Sequence, residues 1–340
     1  MTRTIFVPQP IPAAAVRRLR EIADVTMFPH LDRAITRDEL MAGVAGNEVL
    51  YAMGGIRYDA EVIEAASSVK LIAAMHVNPG FVDVAAATAR GIPVSVIPDT
   101  GLVKTTAEFT FALLISTAWR LPEFDRFLRE GRWEQNQSEI LLGTRLYGKT
   151  LGIVGLGGIG STVAVMAKGF QLDVVYTKRT RLSRAEEVAL DVEYRSLEDL
   201  FRESDFILLT PPLTAQTKGM VTAELLGLMK SSAILINTSR GQVLDEDALT
   251  SALESGAIRG AGLDVYAWEG KPGPGPSERL RGLPNVVLTP HIGSAARETR
   301  EEMALRTVAN IERFFERGRP IDVLNPEVFG ESARSNERIG

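Results

Sequence analysis

The sequence predicts an α/β protein made of two doubly wound parallel sheets. Two series of short apolar runs alternating with helical stretches carry that prediction, together with one glycine-rich turn that ends a run and opens a helix. The first series comprises residues 5–7, 25–28, 49–52, 71–75 and 94–97, with helical stretches at 13–22 and 83–89 among them. The second comprises residues 151–154, 174–176, 206–209, 234–237, 262–265 and 286–289. Six strands in this second series suit a complete dinucleotide-binding domain of the Rossmann type.

The turn reads LGIVGLGGIG over residues 151–160. Gly155 allows the tight bend, Gly157 lets the backbone approach a pyrophosphate, and Gly160 lets the new helix pack on its strand. Gly158 and Ile159 open that helix, predicted over 161–168, whose N-terminus attracts an anion. Residues 173–176 then supply the second strand of the βαβ unit.

A chain of 340 residues exceeds the ~250–300 residues that one core usually serves, so two domains are expected. An apolar helix at 105–121 and a polar connection at 129–149 separate the two series. A long amphipathic helix at 295–317 places Met303, Ala304, Val308, Ile311 and Phe314 near one face, suited to a return onto the first domain. The expected division is therefore a discontinuous domain of residues 1–101 and 292–330, with 102–291 inserted. Residues 271–276, rich in proline and glycine, read as a loop. The polar residues 331–340 read as a disordered tail.

The formal net charge of −5 gives no reason to expect a nucleic-acid partner. The absence of cysteine excludes disulfides, thiolate catalysis and cysteine–zinc sites, and no metal site is expected. Residues 1–9 lack the apolar core of a signal peptide, and 109–119 is too short to span a bilayer, so a cytoplasmic protein without a membrane partner is expected.

Ligands of a doubly wound sheet gather beyond the carboxyl ends of its strands. Three such ends carry reactive groups: Arg240 follows 234–237, Asp264 and Glu269 accompany 262–265, and His291 follows 286–289. The set suits hydride transfer to a 2-oxo acid. Arg240 can grip a carboxylate bidentately and polarise the adjacent carbonyl. His291 can protonate the oxygen, and a Glu269 carboxylate would favour the imidazolium and orient the ring. Each has a structural alternative: Arg240 as a strand-end pair, His291 as a ring bonded to backbone, and Glu269 as a solvated acid.

The phrases ATARGIPV (87–94), GKTLGIVGLG (148–157), INTSRG (236–241), GLDVY (262–266) and TPHIGS (289–294) resemble the D-isomer-specific 2-hydroxyacid dehydrogenase family in order and over nearly the whole length. The resemblance implies a Rossmann domain inserted in a flavodoxin-like substrate domain, with Arg240, Glu269 and His291 as the catalytic trio. It places Asp264 on the nicotinamide side of the cofactor, with Pro211, Thr238 and Gly293 also in the cofactor site. It further implies a homodimer, with the region 109–119 at or near the subunit contact.

Two departures qualify it. NAD-preferring members usually end the second strand with an acid, whereas this chain continues Thr177-Lys178-Arg179-Thr180-Arg181. Lys178, Arg179 or Arg181 could neutralise a 2′-phosphate with Thr177 and Thr180 as hydroxyl donors, so NADP(H) is expected over NAD(H). The second departure is the substrate loop, where members often place glycines and this chain has Met75-His76-Val77-Asn78-Pro79-Gly80. The Val77 and Asn78 amides remain available for a carboxylate, while His76 reads either as a substrate contact or as a surface histidine. Met53 and the loop 99–104 are expected to face the cleft, and Trp268 either walls the pocket or packs.

The leading expectation is an oxidoreductase of small 2-oxo acids and D-2-hydroxy acids such as glyoxylate or hydroxypyruvate. A phosphite-type dehydrogenase is an alternative on the same fold, although that branch carries a lysine where this chain has Val77. A dinucleotide-sensing corepressor or scaffold without turnover is the other.

Overall fold

The computed structural model describes residues 3–98, 101–134, 139–269 and 275–330. Residues 99–100 of the expected cleft loop, 271–274 of the Pro/Gly loop and the tail 331–340 lie outside the described residues. The chain forms two compact units, Met1–Leu102 with Ala295–Ile339 and Val103–Ser294.

The first unit holds five parallel strands, β1 (Thr4–Val7), β2 (Asp24–Met27), β3 (Val49–Ala52), β4 (Leu71–Ala74) and β5 (Val94–Ser95), in the order β2-β1-β3-β4-β5. That order is the flavodoxin-like one. Alternation along the strands feeds two apolar clusters. Phe6, Leu50, Ala52, Ile72 and Ala74 enter one with Leu40 and Val62, while Ile5, Val7, Tyr51, Leu71 and Ala73 enter the other with Leu19. The helix Arg297–Arg317 supplies Met303, Ala304, Val308 and Ile311 to the second cluster and packs on β4 and on the helix Ala13–Ile22. This is the face its spacing predicts, with Phe314 partly buried beside it.

The second unit holds seven parallel strands: β6 (Thr150–Val154), β7 (Asp173–Thr177), β8 (Glu193–Tyr194), β9 (Phe206–Leu209), β10 (Ile234–Asn237), β11 (Gly260–Leu263) and β12 (Val286–Leu288). They lie in the order β12-β11-β10-β9-β6-β7-β8. The order reverses between β6 and β9, which is where such a sheet opens a crevice at its carboxyl end.

Three details differ from the sequence reading. The two-residue β8 is an edge strand too short to carry a periodic signal. β11 stops at Leu263, so Asp264 stands beyond the strand instead of within it. Gly262 within the strand must be glycine because a Cβ there would come within 2.6 Å of Thr117 Oγ1 and 2.9 Å of Leu113 Cγ, on the helix Leu102–Ala118. That helix ends earlier than predicted because Arg120 takes a left-handed backbone (φ 54°) and Pro122 begins a second helix, Leu121–Arg129. Among the described residues no helix is long and apolar enough to cross a membrane.

In the first unit, buried Asn325 closes the sheet edge: its Oδ1 accepts Val94 N–H at 2.7 Å, and its Nδ2 donates to Ile92 O at 3.0 Å and Thr88 Oγ1 at 2.8 Å. Asn325→Ala leaves a buried donor and acceptor unmade and is expected to cost ~1–3 kcal/mol. Calorimetry should show a lower Tm, and an unchanged Tm would remove Asn325 from this role.

Candidate active site

The glycine turn is dictated by its own packing at two positions. Gly155 has φ +93°, and a Cβ there would lie 2.7 Å from Pro211 N and 2.8 Å from Pro211 Cα. A Cβ on Gly160 would lie 2.6 Å from Gly155 O. Thr210 Oγ1 donates to that same oxygen at 2.5 Å, tying the end of β9 to the turn. Gly157 differs, since a Cβ there would meet nothing within 4 Å. It caps the helix Gly158–Ala167 without a side-chain cap, so no side chain of the cap accepts from the first-turn N–H groups. The helix starts at Gly158, three residues before the predicted 161. A Cβ on Gly158 would touch Val103 Cγ1 at 3.2 Å, and Ile159 packs on the apolar core. An open, uncapped turn of this kind fits a pyrophosphate.

At the end of β7, Thr177 lies opposite Val154 and its carbonyl accepts Gly155 N–H at 2.8 Å. Lys178 Nζ donates to Leu156 O at 3.1 Å. A groove of about 370 Å³ lies here, lined by Gly157, Ser161, Lys178, Leu182 and Glu186 among others. Arg179 and Thr180 are exposed, and Arg179 has no ion-pair partner among the described residues. Arg181 is placed otherwise. Its Nε and Nη2 donate to Glu187 at 2.7 and 3.0 Å, and its guanidinium lies 5.1 Å from the Tyr194 ring centre.

The second cluster forms where β10, β11 and β12 end. Buried Asn237 folds the turn after β10, accepting Ser239 N–H at 3.0 Å and Ser239 Oγ–H at 2.9 Å, and donating to Arg240 O at 3.2 Å. Thr238 is buried with its hydroxyl 2.8 Å from that of Thr110. Arg240 is exposed and donates to Ser239 O at 2.6 Å. A Cβ on Gly241 would fall 1.8 Å from Tyr266 C, so the Arg240 turn meets the 266–269 turn backbone to backbone.

Glu269 accepts Tyr266 N–H on Oε1 at 2.9 Å and lies 2.8 Å from His291 Nδ1 through Oε2. Burial pushes the Glu269 carboxyl up, but the hydrogen bond and charge of His291, the Tyr266 N–H and the Arg240 charge together hold it below the usual carboxylate range. The half-exposed His291 ring presents Nε2 on the edge opposite Glu269.

His291 has φ 54°, a strained backbone for a residue other than glycine. Asp264 holds it there. Only 1% exposed, Asp264 accepts Thr289 Oγ1–H at 2.6 Å, Ile292 N–H at 2.8 Å and Gly293 N–H at 2.8 Å. The Tyr266 hydroxyl proton is shared between Leu263 O and Thr289 O, at 3.0 and 2.8 Å, bracing the same segment. Trp268 packs against the neighbouring apolar cluster.

Thr210, Tyr266 and Thr289 were not singled out from the sequence. Thr210 and Tyr266 each follow an apolar run by one residue and Thr289 closes one, which was the available signal. Glu246, which accepts Ala267 N–H at 2.9 Å, left none, because it sits in a helix.

Of the expected substrate residues, four lie in the first unit. Met53 is buried and donates its N–H to Tyr58 OH at 3.1 Å, and Val77 packs against the core. His76 Nδ1 accepts Asn78 N–H at 3.0 Å, so the amide expected to be free for a carboxylate is engaged by its neighbour. The His76 ring also meets Phe81 edge-on at 5.5 Å.

Residues 111–293 match the D-isomer specific 2-hydroxyacid dehydrogenase, NAD binding domain. A glyoxylate reductase of Thermococcus kodakarensis is 43% identical over 332 residues, covering 96% of this chain and 98% of its own. A crystal structure of a Thermus thermophilus protein superimposes with a TM-score of 0.85 at 40% identity, covering 94% of this chain and 99% of that one. An NADPH-dependent glyoxylate/hydroxypyruvate reductase of Sinorhizobium meliloti, solved with NADP and malonate, gives a TM-score of 0.77 at 31% identity, covering 95% and 97%. With its glycine turn, sheet order and matches of this length, the chain belongs to the D-isomer-specific 2-hydroxyacid dehydrogenase family and is a nicotinamide-dinucleotide-dependent dehydrogenase.

Proposed function

We propose that this protein reduces a small 2-oxo acid of the glyoxylate or hydroxypyruvate class to the 2-hydroxy acid, of D configuration where the product is chiral, with NADP(H) preferred over NAD(H). The observation that carries the reaction is the Glu269–His291 pair on a loop strained at His291 and clamped by Asp264. Arg240 binds the substrate carboxylate and draws electron density from the adjacent carbonyl. His291 Nε2 gives its proton to the carbonyl oxygen, while Glu269 holds the ring by Nδ1 and stabilises its positive form. When bound, the nicotinamide would supply the hydride to the carbonyl carbon. Gly155, Gly157, Gly158 and Gly160 would receive the pyrophosphate, with Asp264 and Gly293 toward the nicotinamide. In the first unit, His76, Val77, Asn78 and Met53 are proposed as substrate residues.

The cofactor preference rests on charge. No carboxylate ends β7, and exposed Arg179, with Lys178 and Thr180 beside it, suits a phosphate on the adenosine ribose. The glyoxylate/hydroxypyruvate reductase of Sinorhizobium meliloti, solved with NADP, supports the same preference.

A second copy of this chain is the proposed partner. Trp119, Leu121, Leu128, Trp133, Ile140 and Leu142 are large apolar side chains exposed within one short stretch of the second unit, as expected of a surface that another subunit covers.

His291→Ala should lower kcat by roughly 10²–10⁴. In the wild type, oxo-acid reduction should persist as pH falls through the usual carboxylate range and be lost only below it, where Glu269 takes up a proton. Glu269 stays ionised on the acid side, being held below the usual range. Glu269→Gln removes the carboxylate that holds the His291 ring by Nδ1, so kcat/KM should fall; an unchanged kcat/KM would contradict the role. Steady-state kinetics should give a higher kcat/KM with NADPH than with NADH, and the reverse order would defeat the preference. Light scattering should find a dimer that Leu128→Asp weakens, whereas a wild-type monomer would reject that partner.

A further inference from the structure

Glu187 is a carboxylate only 1% exposed on the helix Arg184–Leu190, whose Glu186 and Ala189 line the groove beside the glycine turn. Burying a charge is costly unless donors surround it. Here Oε1 accepts Tyr176 OH at 2.9 Å and Arg181 Nε–H at 2.7 Å, and Oε2 accepts Arg181 Nη2–H at 3.0 Å, with Arg184 at 3.5 Å. The same Tyr176 hydroxyl accepts Leu182 N–H at 2.9 Å, and Tyr176 belongs to β7. The end of the turn is thereby tied back to the strand that begins it. Ser183 and Glu186 close a capping box immediately after, fixing where the helix starts.

This arrangement divides the basic residues of the turn. Arg181 commits both forks to Glu187 and stacks on Tyr194. Moving it toward a ligand would leave the buried carboxylate only the Tyr176 hydroxyl and the more distant Arg184. Lys178 is drawn to Leu156 O, and Arg179 projects from the middle of the turn without an ion-pair partner among the described residues. The Arg181–Glu187 pair also cancels a negative charge that would otherwise repel a phosphate.

We infer that Glu187 is a positioning residue for cofactor selection, anchoring Arg181 and Tyr176 beneath the turn so that Arg179, and not Arg181, meets the 2′-phosphate. This rests on the NADP(H) reading. Arg181 is then a structural cation, and the buried carboxylate on the following helix supports selection for the phosphate although it carries the opposite sign to that expected of a phosphate site.

The test is calorimetric titration of the full-length protein with adenosine 2′,5′-bisphosphate and with 5′-AMP, alongside hydrogen exchange at the Leu182 amide without ligand. Arg179→Ala should weaken bisphosphate binding about 10- to 100-fold, the range of a charge-assisted hydrogen bond, with AMP unchanged. Glu187→Gln should weaken the bisphosphate selectively and speed Leu182 exchange. Arg181→Ala combined with it should add little, because both remove one interaction. Tyr176→Phe, which keeps the Arg181–Glu187 pair, should also speed Leu182 exchange and provides the test if Glu187→Gln does not fold. Tighter bisphosphate binding by Glu187→Gln would identify Arg181 as a released phosphate ligand and overturn the inference, as would unchanged Leu182 exchange in both variants. Equal wild-type affinity for the two probes would instead reject the NADP(H) reading, with Leu182 exchange still judging the anchor.

Discussion

The carboxylate of Asp264 is the constraint on which the candidate active site depends. It stands just beyond β11, out of water, and takes three hydrogen bonds from the segment that follows β12. That segment would not otherwise hold His291 at a positive φ, since a left-handed backbone is disfavoured for any residue with a Cβ. Fixing the backbone fixes the ring, whose Nδ1 then meets Glu269 and whose Nε2 points away from it. The strain is local, and the surrounding hydrogen bonds maintain it.

Glu269 and Glu187 extend the same principle. The burial of each carboxylate is offset by several donors, and in each at least one donor comes from a segment that follows a strand. The turns are thus held to the sheet by charge-assisted hydrogen bonds while their tips stay exposed. Glycine has the complementary role, as Gly241 lets the Arg240 turn touch the Tyr266 backbone and Gly155 lets the first turn touch Pro211. A side chain at either position would push apart the segments that carry the reactive groups.

Much of this was legible in the chain. Apolar runs and glycine spacing located eleven of the twelve strands and the dinucleotide turn, because strand burial and left-handed turns restrict residue type locally. β8 was missed because two edge residues carry no periodicity. The early end of the helix Leu102–Ala118 was missed because the left-handed backbone at Arg120 leaves no mark on the residue type. The basic run 178–181 was visible as charge, but its division between Arg179 and Arg181 was not, since Glu187 meets Arg181 across a turn.

What the sequence determined by itself was the class of fold, the family and the identities of the groups available for chemistry, all of which follow from local pattern and composition. The tertiary structure decided how those groups are engaged: which arginine is paired, which amide of the His76 loop is already bonded, and which nitrogen of His291 faces Glu269. Those outcomes depend on hydrogen bonds between residues far apart in the chain, such as Asp264 with Gly293, and the direction of such a bond is set only when separate strands end side by side.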